Sequence, residues 1–216
     1  AEDGIRDPLW SRGLGDVYKR QGPMTMGASQ LCGFAKSDPS RDTPNLQFHI
    51  QPISTDKLGG ANLHDFHAFT PTVANIRPTS RGEISISSSD TKVNPKIKMN
   101  YLSTDEDRKV AADGIKLIRK IVMETNEFKK YEPEEFRPGS HLNDKEEIVK
   151  ACSHYAQTIF HPVGTCKMGN DESAVVSDKL KVHGINKLRV IDASIMPNIT
   201  SGNTNAPTIM IAEKGA

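Results

Sequence analysis

The chain has 216 residues, 36% of them hydrophobic and 25% charged, with a formal net charge of +1. That length can bury a sizeable core in one domain or one and a half, and the even charge balance gives no reason to expect a nucleic-acid or acidic partner, since such binding needs a basic stripe. No apolar run approaches the roughly 18–20 residues of a membrane helix; the longest, Ala206 to Ala212, is far shorter, so no membrane segment is expected.

Residues 1–21 mix charge, glycine and the single tryptophan, Trp10, without helical or strand periodicity. They resemble a translated sequencing or cloning adapter and are left out of the fold reasoning, the other reading being a natural loop. Gly13-Leu-Gly15 is no dinucleotide fingerprint, because the third glycine is missing and no strand precedes it. Cys32, Cys152 and Cys166 are odd in number and lack C-x-x-C spacing. This argues against a disulfide framework or a zinc site and for a reducing, cytoplasmic setting.

From Gly22 onward the chain reads as an α+β domain. Leu46, Phe48 and Ile50 alternate with polar residues, which predicts a strand with one buried face. Phe69 to Ile76 is a second, less regular strand, and Glu83-Ile-Ser-Ile-Ser87 alternates again after the Arg81-Gly82 turn. Gly59-Gly60 and Asp90-Thr91 read as loops. Ser103-Thr-Asp-Glu106 has the capping-box pattern, with Ser103 as N-cap, and Ala111, Ile115, Ile118 and Val122 continue it as the apolar stripe of a long helix. Residues 129–139 are rich in proline and charge and read as an exposed connection. Asn143-Asp-Lys-Glu146 starts another helix with Ile148, Cys152 and Tyr155 on one face, which makes Cys152 a core residue rather than a reactive thiol.

Chemistry concentrates near the C-terminus, in His161-Pro-Val-Gly-Thr-Cys-Lys-Met-Gly169, then Leu188 to Pro197, then Thr200 to Thr208. The second reads as a strand ending in a polar turn. The third opens an apolar helix: Ser201, Asn203, Thr204 and Asn205 are N-cap types, and Pro207 suits the first turn. Ile209 to Ala212 make that helix apolar enough to be buried. Its N–H groups and partial positive charge then call for an anionic or electron-rich ligand, or for capping by the Asn and Thr side chains themselves. His161 precedes a proline that forces the chain out of helix, and histidine can act as a base near neutral pH, the other reading of a lone histidine being a structural one. The remaining histidines (His49, His64, His67, His141, His154 and His183) lack ligand spacing, so no metal is assigned.

Read together, HPVGTCKMG, AVVSDKLKVHGINKLRVIDASIMP and TSGNTNAPTIMIAEKGA resemble the closing signature of the GMC (glucose–methanol–choline) oxidoreductases. Upstream, NIRPTSRGEISISSSD and NPKIKMNYLSTDEDRKVAADGIKLIRKIV are similar to the substrate domain of choline-dehydrogenase-like members. The resemblance implies an antiparallel-sheet substrate-binding domain with flanking helices over residues 22–160. It further implies that residues 161–216 hold the catalytic histidine segment and the C-terminal strand and helix of an FAD-binding domain. His161 would take the proton from the substrate hydroxyl, with Asn203, or less favourably Asn205, hydrogen-bonding the same oxygen. Asp192 and Ala193 would contact the cofactor, and the helix start at Thr204, Asn205 and Pro207 would face the flavin. The implied partners are FAD, a small choline-like or other primary alcohol, and a quinone or oxygen as electron acceptor. A lyase or non-catalytic member of the same fold is the alternative. The glycine-rich nucleotide fingerprint of the family is missing from the sequence, so the chain by itself is expected to be inactive.

Overall fold

The computed structural model describes Ser29, residues 31–56 and residues 62–216. Residues 1–21 and Gly59-Gly60 lie outside them. The architecture is mixed α/β, with small sheets, one of them an antiparallel hairpin, beside helices. Strands β1 (Leu31–Ala35), β2 (Leu46–Gln51) and β3 (Thr70–Asn75) form a sheet in that order. Strands β4 (Glu83–Ser85) and β5 (Lys96–Lys98) form the hairpin. Three helices follow, α1 (Asp105–Glu124), the single-turn α2 (Asn126–Lys129) and α3 (Lys145–Tyr155). A 3₁₀ turn at Ala193–Ile195 and helix α4 (Asn205–Gly215) complete the order. By compactness the chain divides into one unit of Ala1–Gly33 with Phe48–Thr72 and another of Phe34–Gln47 with Val73–Ala216. No described helix is long and apolar enough to cross a membrane.

The strand expected at Leu46 is present, but its alternation misled about its second face. Asn45 and Gln47 are as buried as Leu46: helix α1 packs on the Leu46 side, while on the other face Asn45 is bonded to Ser37 and Gln47 to Asn203. Gly114 of α1 makes that approach close: a Cβ there would stand 3.1 Å from Val73 Cγ1 and 3.6 Å from Leu46 Cδ2. On α1 the fully buried positions are Asp107, Val110, Ala112, Gly114 and Val122, while Ala111, Ile115 and Ile118 of the expected stripe are half-buried. The helix also packs on α3, so its contact surface is wider than one stripe. On α3, Ile148 and Ala151 are buried. Cys152 is half-buried and burial pushes its thiol pKa up, whereas Tyr155 faces outward.

The helix start sits one residue later than the capping-box pattern put it. Thr104, not Ser103, is the N-cap, and its Oγ1 accepts from the Asp107 N–H at 3.2 Å. A capping-box carboxylate would return to the N-cap amide. Asp107 instead accepts from the Thr79 and Ser80 N–H groups, both at 2.9 Å, from the Thr79 hydroxyl at 3.1 Å and from Asn75 Nδ2 at 3.2 Å. Ser80 Oγ takes the N–H of Ser103 at 3.0 Å in return, so cap and loop satisfy each other.

The connection at residues 129–139 is irregular, as expected, but it is not simply exposed. Arg119 of α1 forms a bidentate pair with Glu135 at 2.9 and 3.0 Å, with side-chain exposures of only 16% and 11%. The same guanidinium donates to the carbonyls of Gly139 and Leu142. A planar five-donor group can satisfy all these acceptors at once, which a sequence rich in charge does not reveal.

Burial opposes ionisation of Asp107, yet hydrogen bonds from Ser80 and Thr79 outweigh it and hold its pKa below the ordinary carboxylate value. A depressed folded pKa gives stability that is complete above the unfolded value of about 3.9 and is lost as pH falls through the folded one. Asp107→Asn keeps the shape but turns an amide group toward N–H donors. It should cost about 2–3 kcal/mol at pH 7 and reduce the loss of stability below pH 4, measured by urea unfolding at both pH values. Equal midpoints for the two proteins at pH 7 would refute this.

Candidate functional site

The three chemistry-bearing segments converge. After Phe160, in left-handed backbone at φ 64°, His161-Pro162 continues the irregular stretch that follows helix α3 and turns at Gly164. Gly164 has φ +92° and lies so close to Met196 that a Cβ would stand 3.3 Å from its carbonyl oxygen, so a side chain there would be both strained and crowded. Beyond the turn, Cys166 N donates to Ser194 O at 3.0 Å and Met168 N to Ile195 O at 2.8 Å. The H-P-V-G-T segment is thereby laced to the 3₁₀ turn. Below it, Val176, Leu180, Ile195, Met196 and Ile211 form a buried apolar cluster, which anchors α4.

The second segment departs from the expected strand. Leu188 to Ile191 makes a single bridge, Arg189 with Lys181, and no continuous ladder. A strand needs a neighbour along its length, and the described residues offer one only at that point. Asp192 caps the 3₁₀ turn, its Oδ1 accepting from Ser194 N at 2.8 Å and from the Ser194 hydroxyl. Ala193 is the first residue of that turn.

His161 is held at both ring nitrogens. Asn203 Nδ2 lies 2.8 Å from Nε2, and Thr204 Oγ1 lies 3.0 Å from Nδ1. Asn203 Oδ1 in turn accepts from Gln47 Nε2 at 2.8 Å. An amide nitrogen only donates, so the Asn203 contact requires a lone pair on Nε2, and the neutral ring must carry its proton on Nδ1, where Thr204 accepts it. Asn203 is exposed and His161 half-buried, whereas Thr204 and Gln47 are 7% and 1% exposed. The result is a basic nitrogen and an amide donor side by side on an open rim, backed by two buried polar groups. Such a pair can receive a proton from a hydroxyl and hold its oxygen.

These contacts decide how the start of α4 is capped. Thr204 is the N-cap, but its side chain is turned to His161 and makes no cap hydrogen bond. Asn203 commits both ends of its amide to Gln47 and His161. Capping by these side chains is therefore not what happens. Asn205 begins the helix, exposed and away from His161, and Pro207 follows in its first turn. The helix itself is less buried than its composition suggested: Ile211 and Gly215 are buried, while Ile209 and Met210 are 54% and 53% exposed. One flank packs on the apolar cluster, and no described element covers the other.

Nothing in the motifs near the C-terminus points to Gln47. It lies on the polar face of an alternating strand, and the one hint in the sequence is that Asn45 and Gln47 on that face are uncharged amides, which can be buried when hydrogen-bonded.

A family model described as GMC oxidoreductase matches residues 78–212. The chain belongs to the GMC oxidoreductase family. It is 44% identical to an alcohol dehydrogenase [acceptor] of Pseudomonas putida, over 93% of this chain and 36% of that protein. It is 45% identical to an oxygen-dependent choline dehydrogenase of Proteus mirabilis (strain HI4320), with the same coverage of each. The chain thus spans about a third of the length of these relatives, 36% in both cases. Among solved structures, pyridoxine 4-oxidase from Mesorbium loti matches with a TM-score of 0.76 at 27% identity, covering 87% of this chain and 37% of that one. An Aspergillus oryzae RIB40 formate oxidase, studied for FAD modification in a mutant, matches with a TM-score of 0.83 at 25% identity, covering 98% and 41%. These likenesses agree with the mixed α/β architecture expected from the sequence.

Thr204→Val keeps the volume and removes the acceptor of the His161 Nδ1 proton. Unfolding in denaturant should show a loss of about 1 kcal/mol relative to wild type. A neutral substitution would mean that the hydrogen bond contributes nothing to holding the ring.

Proposed function

We propose that this GMC family chain is the C-terminal, substrate-side part of an FAD-dependent oxidoreductase that oxidises the CH–OH group of a small alcohol, choline-like or another primary alcohol. The single observation that carries the reading is the exposed pairing of the His161 Nε2 lone pair with Asn203 Nδ2 at 2.8 Å. The names of relatives at 44% and 45% identity, an alcohol and a choline dehydrogenase, support the substrate class.

The alcohol hydroxyl displaces the Asn203 N–H from His161 Nε2, that nitrogen takes the hydroxyl proton, and Asn203 donates instead to the alcohol oxygen without competing for the proton. Building negative charge on the oxygen as the proton leaves weakens the adjacent C–H bond, which is the step a general base assists. Thr204, holding Nδ1–H, keeps the ring in place and stabilises the positive charge it gains. FAD, when bound, supplies the hydride acceptor. The residues offered to it are Asp192, Ala193, Asn205 and Pro207, with Thr204 contributing backbone, since its side chain is engaged with His161. The uncapped N-terminus of α4 suits an electron-rich ring edge, because its N–H groups receive no side-chain acceptor and its dipole favours negative charge.

His161→Ala in the complete flavoprotein should lower kcat by about 10²–10⁴-fold in an alcohol assay with an artificial electron acceptor. Turnover at the wild-type rate would sink the assignment of the base. The 216-residue chain purified by itself should be colourless, because no glycine-rich pyrophosphate site occurs in its sequence. A yellow, reducible preparation would contradict that.

A further inference from the structure

Hairpin β4–β5 carries its polar and apolar residues on opposite faces. Glu83 lies opposite Lys98 and Ser85 opposite Lys96, while Ile84 lies opposite Ile97. Because side chains alternate along a strand, Ile86 and Met99, just beyond the paired residues, fall on the face of Ile84 and Ile97. That face is apolar and open: Ile86 is 88% and Ile97 65% exposed, with Ile84 and Met99 exposed beside them. The apolar surface continues past the hairpin. Met99 and Tyr101 line one cavity of about 350 Å³ with Thr158, Phe160 and Pro162, the last two being the residues on either side of His161. Phe160 is itself 71% exposed. A band of large apolar side chains thus runs from the hairpin to the segment that carries the base.

Two strands alone are marginal in water, and a contiguous apolar patch marks a surface that another body covers. We propose that the apolar face of the hairpin is the seat of the flavin-carrying part of the same polypeptide. The inference rests on the reading of this chain as the substrate-side part of a flavoprotein. Two observations choose that occupant. This chain spans 36% of the length of each of the two dehydrogenases it resembles, so the larger part of such a protein has to be placed against it. The band also ends beside His161, where the hydride acceptor must stand, so the part that brings the flavin there meets the near end of the band. Ile86, four residues beyond Met99 in the hairpin register, is roughly 13 Å farther on at about 3.3 Å per residue, well within the reach of a domain. Charge agrees with burial: Glu83, Lys96 and Lys98 all lie on the other face, so covering the isoleucines desolvates no ionised group of the hairpin.

The test uses the complete flavoprotein carrying Ile86→Cys, Ile97→Cys or, on the polar face, Ser85→Cys. Labelling by a maleimide is followed peptide by peptide in a mass spectrometer, which separates the added thiol from the native ones, and each rate is compared with that of the same protein in urea. Ile86→Cys and Ile97→Cys should label about a hundredfold more slowly than in urea, and Ser85→Cys within about tenfold of its rate there. The protection should be the same in the monomer as at high protein concentration. Fast labelling of folded Ile86→Cys and Ile97→Cys overturns the proposal. Protection that disappears when the protein is diluted to monomer also overturns it, because the covering body is then a second copy. If the protection holds in the monomer while His161→Ala turns over alcohol at the wild-type rate, the assignment of the base fails and the seat on the hairpin stands.

Discussion

A neutral imidazole has one proton and one lone pair, and the organisation around His161 follows from giving each a partner. Thr204 takes the proton at Nδ1 and Asn203 meets the lone pair at Nε2. Neither contact exists unless the turn after α3 and the turn before α4 meet. That meeting depends on backbone lacing of Cys166 to Ser194 and Met168 to Ile195, and on the apolar cluster beneath. The chain forgoes a side-chain cap on α4 in the process, since the residue placed to provide it is bonded to the histidine. A capping side chain contributes about 1 kcal/mol in ordinary helices, and here that contribution is replaced by an interaction with a site residue.

The polar network has a buried end and an open end. Gln47 and Thr204 are enclosed, so their hydrogen bonds are protected from water and hold geometry. Asn203 stands at the surface beside the half-buried His161, bonded to its Nε2. This gradient from fixed to accessible suits the proton-transfer role proposed for His161, because a base must be oriented by its surroundings and still meet its substrate.

Much of the framework was legible from pattern. Strand β2, helices α1 and α3 and the start of α4 all fall within about a residue of where periodicity, cap residues and proline placed them. The errors share one cause, that a local pattern does not register what another part of the chain supplies. Thr104 rather than Ser103 became the cap because Ser80 takes the Ser103 N–H and Asp107 reaches Thr79 and Ser80. The Leu188–Ile191 segment carries strand residues but has a partner at one position only. Ile209 and Met210 are apolar yet exposed, because burial depends on a covering surface as well as on the side chain.

At the site itself, the amino-acid sequence determined which groups are present: a histidine forced out of helix by Pro162, amide and hydroxyl residues before an apolar helix, and a family signature that joins them. Tertiary structure alone decided how they are paired. Asn203, not Asn205, meets His161, and Thr204 serves the ring rather than the helix. Gln47, remote in sequence, closes the chain of hydrogen bonds. The reason is that a hydrogen bond's partner and direction depend on positions to within a fraction of an ångström and on the orientation of donors. Residue spacing along the chain specifies neither once the partners belong to different segments.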